Sequence, residues 1–252
     1  MNENTKFKII VPSYNSEKWI EKTLSSVAFQ NYNNYDVMVI DDCSTDSNQK
    51  KIIQEYCKKY NSEKNKWNYI FNTDRKFALY NIVNGICCFK CNNNDVIIIL
   101  DGDDWFYDNE VLNKVNNCYC NNDVYMTYGQ YISYPSNEVG RCREISSYII
   151  KNKLYRKTEW LFSHLKTFKF DLFKKIKVED FLDIDGKFMK MTYDLAIIFP
   201  IAEMSGGKFK FINDILYVYN NDNPINDYKV NIKEQIRIEN LIKSRKIYKT
   251  VV

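Results

Sequence analysis

Three carboxylates, Asp101, Asp103 and Asp104, crowd into four positions of the stretch DVIIILDGDDWF (95–106). Carboxylates this close raise one another's pKa and repel, and a divalent cation relieves both effects. Mg²⁺ or Mn²⁺ suits hard oxygen ligands of this kind. The same residues also make an ordinary Asp/Gly turn after a strand, which is the alternative reading of the cluster. Val96–Leu100, just before it, is an unbroken apolar, β-branched run with the length of a strand buried on both faces.

The elements around the cluster repeat a β–α order. Strands are expected at Phe7–Val11 (ended by Pro12), Tyr35–Ile40, Asn68–Phe71, Asp95–Leu100 and Asp123–Tyr128. Helices fall between them: one capped by Ser16 with Ile20, Leu24 and Val27 on a face, and one around Ile52, Ile53, Tyr56 and Tyr60. Phe77–Lys90 is a third, and a fourth, capped by Asp108, runs through Val111, Leu112 and Val115. Such alternation predicts an open, mostly parallel sheet with helices on both faces.

Ligands of these sheets bind beyond the carboxyl ends of the strands. Pro12–Asn15, Asp41 and Asp42, and Asp101–Asp104 each come directly after a strand, so all three belong on one sheet edge. Beyond about residue 130 the alternation fades. Tyr131–Asp185 reads as loop-rich, Thr192–Met204 as a helix interrupted by Pro200, and Phe209–Tyr219 as a strand or hairpin. Asn231–Lys249 reads as a basic helix whose outer face is solvated or touches a partner or membrane surface.

Bulk properties exclude several classes. With 36 basic and 32 acidic residues and a net charge of +4, the chain is too balanced for a dedicated nucleic-acid binder. No apolar run approaches the roughly 20 residues that span a bilayer. Eight irregularly spaced cysteines and no apolar leader at Met1–Lys8 predict reduced thiols in a cytoplasmic protein. Cys88, Cys91, Cys118 and Cys120 fit core filler better than a zinc site. The seven glycines spell neither G-x-G-x-x-G nor a P-loop, which removes dehydrogenases and P-loop kinases and leaves phosphate handling to metal and carboxylates.

The strings IIVPSYN (9–15), VIDDCSTD (39–46) and ILDGDDW (99–105), in that order, resemble the family 2 glycosyltransferases of the GT-A fold. The likeness continues through SHLKTFKFDLFKKI (163–176), TYDLAIIFPIAEMSGG (192–207) and KFINDILYVYN (210–220). It implies one α/β domain over 1–252, a Rossmann-like mostly parallel sheet flanked by helices. Residues 1–130 would be the nucleotide-sugar half, and 131–252 a loop-rich acceptor half with a C-terminal helix.

By that resemblance Pro12, Tyr14, Asn15 and Asp42 hold the base and ribose of a UDP-sugar, and Asp41 is structural. Asp101 and Asp103 form the D-x-D element that ligates Mn²⁺ or Mg²⁺ near the diphosphate, with Asp104 orienting them. Arg75 and Asn81 approach the nucleotide from the third strand, although each also suits a surface or helix-capping role. His164, near Lys166, has a place by the diphosphate or acceptor, or else a packing role. Trp105 and Trp160 would stack on a sugar or belong to the core. Cys43 stands where the family usually has glycine. Asp194 is the implied base that takes the proton of an attacking glycan, protein or small-molecule hydroxyl, with Asp180 its rival. The expected activity is an inverting, metal-dependent hexosyl transfer. The alternatives are an inactive nucleotide-sugar-binding module and a sugar nucleotidyltransferase.

Overall fold

The structure, a computed structural model, describes residues 4–120 and 123–252. Met1–Glu3, part of the stretch read for a leader, lie outside the described residues. The first half runs β1 (Phe7–Ser13), α1 (Ile20–Ala28), β2 (Tyr35–Asp41), α2 (Ser47–Tyr60), β3 (Trp67–Phe71), α3 (Ala78–Cys88) and β4 (Val96–Ile99). β1, β2 and β4 are buried at every position, as their continuous apolar runs require. The four strands lie parallel in the order β3-β2-β1-β4, with Ser13 paired to Asp41 and Ile10 to Ile99. Their carboxyl ends therefore share one edge, as the sequence predicted.

The second half completes the same sheet. It contains β5 (Trp105–Phe106), α4 (Val111–Tyr119), β6 (Met126–Tyr134), α5 (Ser147–Asn152), β7 (Thr167–Lys169), α6 (Phe170–Phe173), α7 (Tyr193–Ser205), β8 (Phe209–Asn220), α8 (Asp227–Val230) and α9 (Ile232–Ser244). β7 inserts antiparallel between β4 and β6, β8 runs parallel to β6, and β5 closes the edge antiparallel to β8. The stretch read as loop-rich thus supplies a central strand. β7 has only three residues, too few for a periodic signal, and it is fixed by pairs such as Ile97 with Phe168.

Alternation along the strands sorts two cores. Ile9, Val11, Val37, Val39 and Ile98 pack with α1, α2 and α4, and Ile10, Met38, Ile40, Ile97 and Ile99 pack with α3, α6, α7 and α9. Of the four cysteines read as core filler, Cys118 is buried, Cys91 is half-buried, and Cys88 and Cys120 are exposed because they lie at the solvent ends of their helices; all eight cysteines are free thiols.

Several local expectations differ. Ser16 does not cap α1 with its side chain; its carbonyl accepts from Trp19 and Ile20, and its own N–H donates to Gln49 Oε1 at 2.6 Å. α7 runs unbroken through Pro200. Leu195–Ser205 are all buried, and that packing outweighs the roughly 3 kcal/mol that an interior proline costs. β6 continues to Tyr134, past its expected end, and β8 takes the single-strand form of the two readings. α9 ends at Ser244, because the tail beyond it is captured. Tyr248 N–H donates to Glu203 Oε2 at 3.0 Å and Val251 N–H to the Met204 carbonyl at 3.0 Å.

Glu203 also anchors the second half. It is fully buried on α7 and binds Arg156 through Nε (2.5 Å) and Nη2 (2.9 Å), while Arg156 Nη1 reaches the Ile242 carbonyl at 2.6 Å. Removing one partner leaves a buried charge unpaired. Arg156→Met should cost about 3–5 kcal/mol in urea unfolding, and Arg156→Met with Glu203→Leu should recover most of that loss. Additive losses in the double variant would contradict a coupled pair.

Candidate functional site

Beyond the carboxyl ends of β1, β2 and β4 lies a cavity of about 270 Å³. Its lining includes Pro12, Tyr14, Asp42, Arg75, Asn81, Asp101, Asp103, Asp104, His164 and Asp194, so of the residues expected to bind the donor or metal or to act as the leading base, all but one converge there. Asn15 is the exception. It takes φ +47°, donates its N–H to Ser44 Oγ at 2.9 Å and accepts from Thr45 N–H at 3.0 Å, which fixes the neighbouring loop.

The floor is set by the turn after β4. Asp104 N–H donates to the Asp101 carbonyl at 3.0 Å, and Gly102 N–H to the Pro12 carbonyl at 2.9 Å. Gly102 is required by contact, since a Cβ there would meet Ser13 Cβ at 2.5 Å. Tight closure brings Asp104 back beside Asp101. Asp104 is 1% exposed and accepts from Tyr217 Oη at 2.6 Å and from Asn220 N–H at 2.7 Å, both on β8. Tyr193 Oη donates to Asp101 Oδ2 at 2.6 Å, and Asn223 Nδ2 to Asp103 Oδ2 at 2.7 Å.

Crowding and burial raise the basicity of these carboxylates. Burial first, and Asp103 next, push Asp101 up to about 7 against the pull of Tyr193 and Lys166. Burial raises Asp103, and burial with its two neighbours raises Asp104 well above the usual carboxylate range. His164 is held neutral, first by burial and then by the Lys166 ammonium 3.5 Å from Nδ1. Its ring stacks on Tyr217 with centroids 4.5 Å apart.

Ligand atoms of Asp101, Asp104 and His164 all lie within 4.8 Å of one another. Two carboxylates and a neutral imidazole fit a divalent ion such as Mn²⁺ or Mg²⁺. The sequence placed the metal on Asp101 and Asp103. The closed turn brings Asp104 beside Asp101 as well, while Asp103, on the same turn, accepts from Asn223 Nδ2.

On the opposite wall Asp42 accepts from Asn72 Nδ2 and from the N–H groups of Lys76 and Phe77, each at 2.8 Å. Phe77 adopts φ +68°, ψ +164°, a strained conformation for a non-glycine residue that presents this N–H pair. Asn72 also donates to Asn81 Oδ1 at 2.8 Å, and the buried Asn81 Nδ2 has no partner among the described residues. Arg75 lies between two rings, 3.8 Å from the Tyr14 centroid and 4.6 Å from that of Phe77. Cys43 takes φ +64°, so the loop keeps the backbone a glycine would give it. Asp41 is structural, accepting from Ser44 N–H and Gln49 Nε2.

Asp194 opens α7 with its side chain 25% exposed to the cavity, and Lys166 Nζ is 4.0 Å from Oδ2. Its rival Asp180 lies outside the cavity lining, bonded to Tyr248 Oη and 3.6 Å from Arg245. Trp160 packs on Phe162 and Phe199, and Trp105 lies under Lys22, so neither tryptophan lines the cavity.

The sequence matches the model of Glycosyl transferase family 2 over residues 8–181, a span that holds the carboxylate turn and the Asp42 wall of the cavity and ends before Asp194. This chain belongs to glycosyl transferase family 2. Over 58 residues it is 47% identical to the poly(ribitol-phosphate) beta-N-acetylglucosaminyltransferase TarS of Staphylococcus aureus, a match covering 22% of this chain and 10% of TarS. The crystal structure of TarS 1–349 superposes with a TM-score of 0.64 at 19% identity, covering 94% of this chain and 65% of that one. The same TarS region in complex with UDP-GlcNAc gives 0.62 at 18% identity, over 86% and 58% of the two chains. The mannosyltransferase PcManGT of Pyrobaculum calidifontis, in complex with GDP-Man and Mn²⁺, gives 0.60 at 14% identity over 97% and 66%. The family 2 fold here is the mixed α/β GT-A fold.

Sequence reasoning missed the residues that hold the site together. Asn72, Tyr193, Tyr217 and Asn223 act from distant segments, and only Tyr193, beside Asp194, has a local signal.

The raised Asp101 gives a pH test. A carboxyl whose folded pKa exceeds its unfolded value binds more protons when folded, so stability falls as pH rises from about 4 to about 7. Metal-free protein should therefore lose melting temperature from pH 5 to pH 8, and Mn²⁺ should cancel the loss. A flat profile without metal would contradict the carboxylate arrangement.

Proposed function

We propose that this protein is a metal-dependent, inverting glycosyltransferase that moves a hexose from a UDP-sugar to a hydroxyl acceptor. The observation that carries the reading is the meeting in one cavity of the Asp101–Asp104 turn, His164, the Tyr14–Arg75 stack and Asp194. Family 2 membership supports glycosyl transfer, and the complexes of TarS with UDP-GlcNAc and of PcManGT with GDP-Man support a nucleotide-sugar donor.

Tyr14 and Arg75 give a flat face for the base, and Asn81 Nδ2, without a partner among the described residues, is a donor for a base carbonyl such as those of uracil. Asp42 contributes mainly by shaping this wall, since three donors already occupy its carboxylate. Asp101, Asp104 and His164, with Asp103 on the same turn, would hold Mn²⁺ or Mg²⁺, which when bound supplies positive charge beside the departing diphosphate. Asp194 takes the proton from the acceptor hydroxyl as that oxygen attacks the anomeric carbon, and a single displacement inverts the centre. Tyr193, next in sequence to this base, fixes Asp101 and so couples the base to the carboxylate turn.

The reading is tested by a panel of nucleotide-sugars and acceptors with Mn²⁺, scored for free nucleoside diphosphate. Release of UDP is expected, whereas pyrophosphate would mark a nucleotidyltransferase and no product a binding module. Asp194→Asn should lower transfer at least about a hundredfold with donor binding retained, and Asp180→Asn should leave transfer nearly intact. The reverse ranking of the two variants would move the base to Asp180.

A further inference from the structure

Lys166 enters β7 from the cavity side. It is 2% exposed, yet it lines the cavity. Its ammonium lies 3.5 Å from His164 Nδ1 and 4.0 Å from Asp194 Oδ2, and among the described residues no carboxylate is nearer. An ammonium has three N–H donors, and burying one beside so loose an ion pair is costly unless a further anion completes it.

Position selects that anion. Lys166 stands between Asp194, the proposed base, and His164, whose ligand atom groups with Asp101 and Asp104 within 4.8 Å. A base sits on the acceptor side of the anomeric carbon, and the leaving oxygen lies on the side of the carboxylate turn. A fixed cation between them disfavours positive charge on the sugar but favours negative charge on the departing oxygen. Lys190 and Arg75, the other cations of the lining, are exposed and lie over aromatic rings.

We propose that Lys166 binds the terminal phosphate of the donor's diphosphate and stabilises it as it leaves. The inference rests on the nucleotide-sugar reading above. In the step, the bond between the anomeric carbon and the phosphate oxygen breaks and its electron pair stays on that oxygen. The acceptor oxygen forms the new bond, and its proton passes to Asp194. Lys166 keeps its proton and donates hydrogen bonds only.

The test compares UDP with UMP, which lacks the terminal phosphate, by calorimetry in excess MnCl₂. Lys166→Met should weaken UDP at least about tenfold and change UMP by less than about twofold, the scale of one charge-assisted hydrogen bond. Lys166→Gln, which keeps a polar head, provides the same comparison if the methionine variant fails to fold. Equal weakening of both nucleotides would make Lys166 a general pocket residue and overturn the proposal. Unchanged UDP affinity with reduced turnover would assign Lys166 to Asp194 and overturn it as well. If the wild-type protein binds neither nucleotide, the donor reading falls and takes this inference with it.

Discussion

The constraint on which the molecule turns is the crowding of three carboxylates, Asp104 buried and Asp101 and Asp103 half-buried, on one four-residue turn. Alone, Asp101, Asp103 and Asp104 would neutralise or drive the turn out into water. They stay in place because each is bonded from a different segment: Asp101 by Tyr193 of α7, Asp103 by Asn223 after β8, and Asp104 by Tyr217 and Asn220 of β8. These hydrogen bonds offset part of the repulsion. The raised basicity of all three is what remains uncompensated.

This arrangement explains the shape of the second half. β8 carries two of the bonds to Asp104, so it must end over the β4 turn, and β7 lies between β4 and β6 on the way to it. β7 also begins directly after His164 and Lys166, placing both beside the carboxylates. α7 starts at Tyr193 and Asp194 and is anchored at its far end by the Arg156–Glu203 pair. A helix whose first turn fixes Asp101 gains from being buried along nearly its whole length, and that burial accommodates Pro200.

The sheet edge was legible because its signals are local. A β-branched run ending in Pro12, Asp41 or Asp101 declares both a strand and the turn that leaves it, and three such ends in parallel register make one site. The half that closes the site was less legible, since its information is in pairings. β7 is too short to show a period, Asn72 looks like any loop asparagine, and Tyr217 reads as one of many strand aromatics until it meets Asp104 across 113 positions. That Asp104 also sits beside Asp101 was hidden for the same reason. Spacing points to Asp103, and the Asp104 N–H to Asp101 carbonyl bond, invisible in the sequence, brings Asp104 in beside them. Asn15 matched a motif whose role here is to hold a loop through Thr45.

The central claim is that the carboxylate turn is built to be completed by a divalent cation held together with a nucleoside diphosphate. Counting bound Mn²⁺ by its electron paramagnetic resonance signal, with and without UDP and above the amount UDP chelates by itself, tests that claim most directly. One ion per chain, tightened by UDP and lost in Asp101→Asn, is the result the structure predicts. Mn²⁺ binding no greater than that of free UDP would contradict it.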